Sequence, residues 1–215
     1  MRSASEPAVT ERIVVDGDVQ LETLWDTPEA PASLAVFCHP HPLQRGTMRA
    51  PLMNAVTTHL VAAGFAVLRF NFRGVGSSTG AHGQGIEEMD DVAAAVDFAR
   101  SRYPELPFGI CGWSFGAATA LGWQARDQST DPYVGIAPPV RSDRSPELPP
   151  PDRLRPARRL FVIGDRDQFC TVGEIEAYAA SIGAGVEVLK GSDHFFYFRE
   201  ERVAEAVVTA LSGVG

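Results

Sequence analysis

The chain has 215 residues, of which 45% are hydrophobic and 21% are charged, and its formal net charge is −8. This length suggests one domain and is sufficient to bury a core without disulfides or metals to support it. The negative charge argues against nonspecific binding to nucleic acid or to an anionic lipid surface. We predict a single domain over residues 1–215, with residues 1–12 as a flexible tail.

The predicted elements begin after this tail. "RIVVDG" and "VQLETLWDTP" predict two strands joined by a turn at Asp16-Gly17-Asp18. From residue 33 strands and helices alternate in the order "SLAVFC" (strand), "MNAVTTHLVAAG" (helix), "FAVLRFNF" (strand), "IEEMDDVAAAVDFARSRY" (helix), "PFGICGW" (strand), "SFGAATALGWQAR" (helix), "YVGIAPP" (strand), "RRLFVIGD" (strand), "VGEIEAYAASIG" (helix), "GVEVLK" (strand) and "REERVAEAVVTALSG" (helix). This alternation predicts an α/β fold with a mostly parallel sheet covered by helices on both faces. Residues 138–156 are rich in proline and predict an extended surface loop.

The cysteines and the N-terminus bear on the compartment. Cys38, Cys111 and Cys170 are widely spaced and form no CxxC motif, which favours reduced thiols. The N-terminal residues lack the apolar core of a signal peptide, and no apolar run approaches the ~18 residues of a membrane span. We expect a cytoplasmic protein that binds neither nucleic acid nor membrane, and the sequence leaves its oligomeric state open.

A nucleophile is indicated by Gly112-Trp113-Ser114-Phe115-Gly116, which matches G-x-S-x-G between a predicted strand and a helix of small residues. In that context the serine stands on a strained turn that exposes its hydroxyl, and the glycines let strand and helix approach closely. The helix N-terminus offers positive potential where an oxyanion forms. We predict that Ser114 is a nucleophile; the alternative is a tight turn that only packs.

A nucleophilic serine needs a base and an acid that orients it, in the chain order Ser, Asp or Glu, His. His194 is the one histidine that follows Ser114, and it lies on the loop after a predicted strand. Active sites of open parallel sheets lie at that edge. Asp165 and Asp167 both follow the preceding strand, and Asp193 is a third candidate. We favour Asp167 and keep Asp165 as the alternative.

Together, "HPHP", "RFNFRGVGSSTG", "GWSFG" and the Ser114, Asp167, His194 order resemble the α/β-hydrolase superfamily. The sequence is most similar to a bacterial group of small serine hydrolases with little or no cap, which carry His-Pro after the third strand and an RFNFRGVG signature. The resemblance runs from about residue 33 to about residue 211. The family's G-x-x-D falls on Gly164 to Asp167, which supports Asp167.

The resemblance also implies two oxyanion donors. One is the backbone N–H of Phe115, and the other is the backbone N–H of His41, because Pro40 and Pro42 have no N–H to donate. The implied activity is cleavage of carboxylic esters with small or short-chain acyl groups through an acyl-enzyme. A thioester, a lactone of the dienelactone type, or a peptide-like bond remains an alternative on the same triad, and a non-catalytic binding protein is a more distant one.

The predicted substrate is a small molecule, and the reaction requires no cofactor. Apolar pocket walls are expected from Leu43, Met48, Phe115, Phe169, Phe195 and Phe196. No metal is expected, because Cys38, His39 and His41 in a proline-locked segment are poorly placed to surround a tetrahedral ion. We expect His39 to hold its loop structurally.

The Gly-rich stretch "RGVGSSTG" lacks the Lys-Ser/Thr of a phosphate-binding loop, so we do not predict nucleotide binding. We expect Arg73 to anchor this loop. The acidic residues Glu87, Glu88, Asp90 and Asp91 predict a solvated helix start, one of them pairing with Arg73.

Overall fold

The computed structural model describes residues 10–213. Its elements are β1 (Arg12–Asp16), β2 (Val19–Asp26), β3 (Ser33–Cys38), α1 (Pro51–Ala62), β4 (Phe65–Phe70), α2 (Glu88–Arg102), β5 (Phe108–Trp113), α3 (Phe115–Asp127), β6 (Tyr133–Ile136), β7 (Arg159–Gly164), α4 (Val172–Ile182), β8 (Gly185–Leu189) and α5 (Glu200–Ser212). Each strand and helix predicted from the sequence is present, with ends shifted by a few residues. β1 begins at Arg12, the last residue of the expected tail, and residues 1–9 lie outside the described residues.

The strands form one sheet in the order β1-β2-β4-β3-β5-β6-β7-β8. β2 pairs antiparallel with β1 and with β4, and the neighbours from β4 to β8 pair parallel. The carboxyl ends of the parallel strands therefore meet at one edge of the sheet, where sites in this architecture form.

The sheet separates two hydrophobic cores, and β3 contributes to both by alternation of its side chains. Val36 belongs to the core shared with α2, α3 and α4, whereas Phe37 belongs to the core shared with α1 and α5. Both side chains are fully buried, which stabilises the fold by about 1.5–3 kcal/mol for each. Helices thus cover both faces, as the sequence predicted.

The segment between β6 and β7 contains one turn of 3₁₀ helix, Pro151–Arg153, among its described residues. The hydroxyl of Tyr178 on α4 donates to the carbonyl of Pro149 (2.8 Å) and holds this segment against α4. The extended loop expected there is confirmed, and within residues 10–213 no cap of helices is built over the strand ends.

The loop between β4 and α2 is anchored by Arg73, as predicted. Its guanidinium donates to both Asp91 (2.8 and 2.9 Å) and Glu87 (2.6 Å). The solvated helix start was wrong for Asp91 and Glu88, whose side chains are fully buried. Burial raises the pKa of Asp91 to about 6, against the lowering effect of Arg73. Glu88 accepts the backbone N–H groups of Gly83 and Gly85.

No helix among the described residues is long and apolar enough to cross a membrane. Cys38, Cys111 and Cys170 are buried free thiols.

Candidate active site

Ser114 forms the turn between β5 and α3. Its backbone φ is 54° and its ψ is −119°, a conformation that favours glycine and is strained for serine. Its N–H donates to the carbonyl of Ile136 on β6 (2.7 Å), which fixes the turn to the sheet. The strained turn leaves the side chain projecting beyond the strand ends, as a nucleophile requires.

The two glycines of the motif are required by close backbone packing. A Cβ at Gly112 would lie 2.5 Å from the backbone nitrogen of Ala117, on the helix that the turn begins. A Cβ at Gly116 would overlap the carbonyl oxygens of Cys38 and His39. The first turn of α3 therefore rests directly on the loop that follows β3.

His194 connects the serine to an aspartate. Its Nε2 lies 2.9 Å from the hydroxyl of Ser114, and its Nδ1 lies 2.8 Å from Oδ2 of Asp167. Because a carboxylate only accepts, Nδ1 carries the proton and Nε2 is free to accept the serine proton. The imidazole is buried and the Asp167 side chain is fully buried, so the bond between these two side chains is shielded from water.

The other two candidate aspartates, Asp165 and Asp193, accept hydrogen bonds from backbone N–H groups of loops. Asp165 accepts the N–H of Gly191 (2.6 Å), and Asp193 accepts the N–H groups of Phe195 and Phe196. A Cβ at Gly164 would overlap the carbonyl of Ser192, so the loop carrying Asp167 lies against the loop carrying His194.

The two residues predicted as oxyanion donors are Phe115, which follows the serine in the chain, and His41, which lines the same cavity as the serine. Phe115 is the first residue of α3, and His41 caps a 3₁₀ helix at Pro42–Gln44 in the loop packed on α3. Neither N–H donates to another of the described residues. Their ring centroids lie 5.1 Å apart, so the two residues are neighbours in the structure.

Both histidines of the loop have their nitrogens engaged. Nε2 of His39 accepts the N–H of Phe72 (3.0 Å), so its protonated Nδ1 donates to the carbonyl of Pro40 (2.6 Å). Burial lowers the pKa of His39 to about 4. The structural role expected for His39 is confirmed.

The side chain of His41 links two loops. Its Nδ1 accepts the N–H of Leu43 (3.1 Å), so its Nε2 donates to the carbonyl of Arg144 (2.6 Å). Burial lowers the pKa of His41, against the raising effect of its hydrogen bond to the Arg144 carbonyl, and the neighbouring His82 and Arg144 side chains lower it further. In the described part of the chain, no group of three or more His, Cys, Asp or Glu residues is placed to hold a metal.

A cavity of about 560 Å³ opens beside Ser114 and His194. One wall is aromatic, formed by Trp113, Phe169 and Phe195. The rest of the lining is more polar and includes Pro40, His41, Gln44, Arg45, Gly46, Ala50, Pro139, Arg141, Ser142, Asp143, Arg144, Ser145 and Gln168. A larger groove of about 730 Å³ lies between β1 and α2, at the opposite end of the strand order from β7 and β8, and contains none of the predicted site residues.

Of the predicted pocket walls, Phe169 and Phe195 line this cavity. Leu43 is 72% exposed and lines a neighbouring cavity with His82 and Gln84. Met48, Phe115 and Phe196 are fully buried in the protein interior and do not reach the cavity. The sequence did not lead us to predict Trp113, Arg45, Arg141 or Arg144 as cavity residues. The arginines could have been predicted, because they lie on loops that follow strands and therefore reach the carboxyl edge of the sheet.

The strand order, the serine turn and the facing histidine define an α/β serine hydrolase. Residues 46–162 match the family model described as "Serine aminopeptidase, S33", and the chain belongs to this family. It is 30% identical over 188 residues to an uncharacterized protein of Rickettsia prowazekii, covering 84% of this chain and 78% of that protein.

Solved structures have the same fold. A serine hydrolase without a lid from Xanthomonas campestris matches with a TM-score of 0.83 and 24% identity, over 96% of this chain and 94% of that one. An esterase from Pyrococcus furiosus matches with a TM-score of 0.80 and 20% identity, over 96% and 92% of the two chains.

Proposed function

We propose that this protein hydrolyses carboxylic esters of small or short-chain acids through an acyl-enzyme on Ser114. The observation that carries the proposal is the hydrogen-bond chain from Asp167 through His194 to Ser114, at the mouth of a cavity. Nucleophile, base and orienting acid within hydrogen-bond reach are the features by which such a site is recognised.

Each residue has one role in the reaction. Ser114 attacks the ester carbonyl while His194 accepts its proton, and Asp167 stabilises the imidazolium that forms. The N–H groups of Phe115 and His41 hold the oxyanion of the tetrahedral intermediate. His194 then returns the proton to the departing alcohol oxygen. Water, activated by the same imidazole, attacks the acyl-enzyme and releases the acid.

The shape of the site supports small esters. The described segment between β6 and β7 forms a low rim with one 3₁₀ turn, and the cavity beside it has a volume of about 560 Å³, which suits a small acyl group. The Xanthomonas protein, described as a serine hydrolase without a lid, and the Pyrococcus esterase have the same fold as this chain. The buried free thiols fit the reducing interior of the cytoplasm, where we place the reaction.

Peptide-like cleavage is the second candidate, because the matched family is described as a serine aminopeptidase. An aminopeptidase must hold a substrate ammonium group, for which carboxylates are the suited partners. The cavity lining contains Asp143 but also Arg45, Arg141 and Arg144. Its charge thus disfavours a cationic substrate. Thioesters and lactones would use the same steps, whereas a non-catalytic binding protein would have no use for this hydrogen-bond chain.

The test is a panel of 4-nitrophenyl esters with increasing acyl length, run beside a thioester, a lactone and an aminoacyl 4-nitroanilide. We expect the short esters to be hydrolysed fastest, and Ser114→Ala to lower kcat by about 10⁴-fold or more. Asp167→Asn should lower kcat by about 10³–10⁴-fold, while the matched variant Asp165→Asn retains activity. Equal rates for the parent and Ser114→Ala on every ester would contradict the proposal, and a faster anilide would favour the peptidase.

A further inference from the structure

The cavity beside Ser114 has a charge opposite to that of the whole chain. The protein carries a formal net charge of −8, yet three arginines and one aspartate are the charged residues that line the cavity: Arg45, Arg141, Arg144 and Asp143. A cleft lined by one sign of charge attracts ligands of the other sign and raises their local concentration.

These three guanidinium groups are not used to hold the fold. Elsewhere in the chain Arg69, Arg73 and Arg126 are tied to carboxylates. Among residues 10–213, the side chains of Arg45, Arg141 and Arg144 form no hydrogen bond or close ion pair. They are exposed at the cavity, so their donors are available to a ligand. Arginine offers planar paired donors that match a carboxylate or a phosphate.

Two nearby carboxylates reduce this positive charge without cancelling it. Asp143 is exposed on the same rim. Glu174 on α4 has a lowered pKa, mainly through hydrogen bonds from Thr171 and to a smaller extent through the charge of Arg141. Burial is the main cause of the lowered pKa of His41, and the positive charge of Arg144 lowers it further. The charge of Arg144 therefore acts on the loop after β3.

The position of the aromatic rings in the cavity indicates which part of the substrate, acyl group or leaving group, faces the arginines. His194 must hand its proton to the leaving oxygen, so the leaving group passes beside the imidazole. The rings of Phe169 and Phe195 lie there, with centroids 4.7 and 5.6 Å from that of His194. The arginines belong to other elements, namely the loop after β3 and the segment after β6.

We infer that the acyl group of the substrate carries an anion held by Arg45, Arg141 and Arg144, and that the leaving group is apolar. The substrate class is then a half-ester of a dicarboxylic acid, or an acyl group with an equivalent anion. This inference rests on the proposed ester hydrolysis and names the substrate class for that site.

The test compares matched acyl chains. The 4-nitrophenyl half-esters of adipic and suberic acid carry a terminal carboxylate, and the 4-nitrophenyl esters of the corresponding mono-amides are their neutral isosteres. We expect kcat/KM to be about tenfold higher for the carboxylates at low salt, and the ratio to fall towards one in 1 M salt. A carboxylate placed on the nitrophenyl leaving group of a neutral acyl ester should bring no gain.

Variants assign the effect to the cavity. Arg141→Gln, Arg144→Gln and Arg45→Gln should each reduce the carboxylate-to-amide ratio by up to about fivefold, and the triple variant should bring it close to one. Arg49→Gln is the matched control, because Arg49 is exposed outside the cavity and lies 3.8 Å from Glu22; its ratio should equal that of the parent. Thermal melts check that each variant is folded.

The outcomes separate the two proposals. A parent ratio near one, a preference for the charged leaving group, or a ratio that survives in the triple variant overturns the inference while Ser114-dependent hydrolysis of neutral esters still stands. If no ester is hydrolysed in a Ser114-dependent manner, ester hydrolysis itself fails and the inference falls with it.

Discussion

At the scale of residues, hydrogen bonding decides which of three aspartates faces His194. The chain order and the loop after a strand predict Ser114 and His194, because topology dictates where those residues must fall. The choice between Asp165 and Asp167 depends on the path of the turn after Gly164, which local sequence patterns do not specify. Asp165 accepts the N–H of Gly191, whereas Asp167 accepts the N–H groups of Phe169 and Cys170 through Oδ1 and presents Oδ2 to the imidazole.

The pocket residues show a second limit on prediction from sequence. Met48 and Phe196 are apolar and lie near the site in sequence, but both side chains turn into the core. Phe196 has a positive φ of 55°, which breaks the alternation that would be expected of an extended segment. Hydrophobicity predicts burial at these positions; it does not predict which cavity or core a side chain faces.

The backbone and the side chain of His41 can be tested separately. His41→Pro removes the N–H at a position whose φ of −52° proline adopts readily, so we expect kcat to fall by about 10²–10³-fold through loss of an oxyanion donor. His41→Ala keeps that N–H and loses the bonds to Leu43 and Arg144, so its kcat should stay within about tenfold of the parent. Steady-state kinetics on a short ester measures both variants.

His194→Ala is the reference for these values, with an expected loss of about 10⁴-fold or more. An Ala variant at residue 41 that is as impaired as the Pro variant would mean that the imidazole, not the peptide N–H, is what the site needs.

At the scale of elements, the junction of β5, α3 and the loop after β3 carries both the proposed nucleophile and the proposed oxyanion donors. Its prediction from sequence was possible because G-x-S-x-G encodes the close approach of backbones. Charged positions were harder to predict. Glu88 and Asp91 stand in the first turn of α2, where acidic residues usually face solvent, yet the β4–α2 loop folds over them and supplies backbone N–H groups and Arg73 as partners.

The close packing at this junction predicts the effect of Gly116→Ala. The added methyl would overlap the carbonyls of Cys38 and His39, so α3 must shift away from the oxyanion loop. We expect kcat to fall by about a hundredfold, with a loss of about 1–3 kcal/mol in the free energy of unfolding.

Gly173→Ala is the control for this substitution. Nothing lies within 4 Å of a Cβ at that position in the first turn of α4, so alanine should leave activity unchanged and stability equal or slightly higher. Steady-state kinetics and urea unfolding measure activity and stability for both variants. A Gly116→Ala variant as active and as stable as the parent would show that the close packing at Gly116 is not required.

At the scale of the whole molecule, the alternation of strands and helices was sufficient to predict a parallel sheet covered on both faces. The charge of the cavity was not predictable, because Arg45 and Arg141 are nearly a hundred residues apart and meet only when the loops of β3 and β6 reach the same edge of the sheet. Net charge is a sum over the chain and contains no information about its distribution on the surface.

The buried imidazole of His39 predicts how stability depends on pH. Burial lowers its pKa from 6.5 to about 4 in the folded state, so between these values the unfolded chain binds the extra proton. The stability contributed by the neutral ring is fully present above about pH 6.5 and is lost as the pH falls towards 4. Between pH 7 and pH 5 this amounts to about 2 kcal/mol.

His39→Gln isolates that contribution, since glutamine can still accept the N–H of Phe72 but does not titrate. Urea unfolding at pH 7 and pH 5 should show a fall in stability about 2 kcal/mol larger for the parent than for the variant. Equal falls in the two proteins would mean that His39 is not held neutral by the fold.

The most direct measurement of the central claim is labelling of the folded protein by a fluorophosphonate, with the modified residue located by mass spectrometry. Activation of Ser114 by His194 predicts one label per chain, on Ser114, absent in Ser114→Ala and formed at least about a hundredfold more slowly in His194→Ala. An unlabelled parent protein, or a label that persists in Ser114→Ala, would contradict the assignment of Ser114 as the nucleophile.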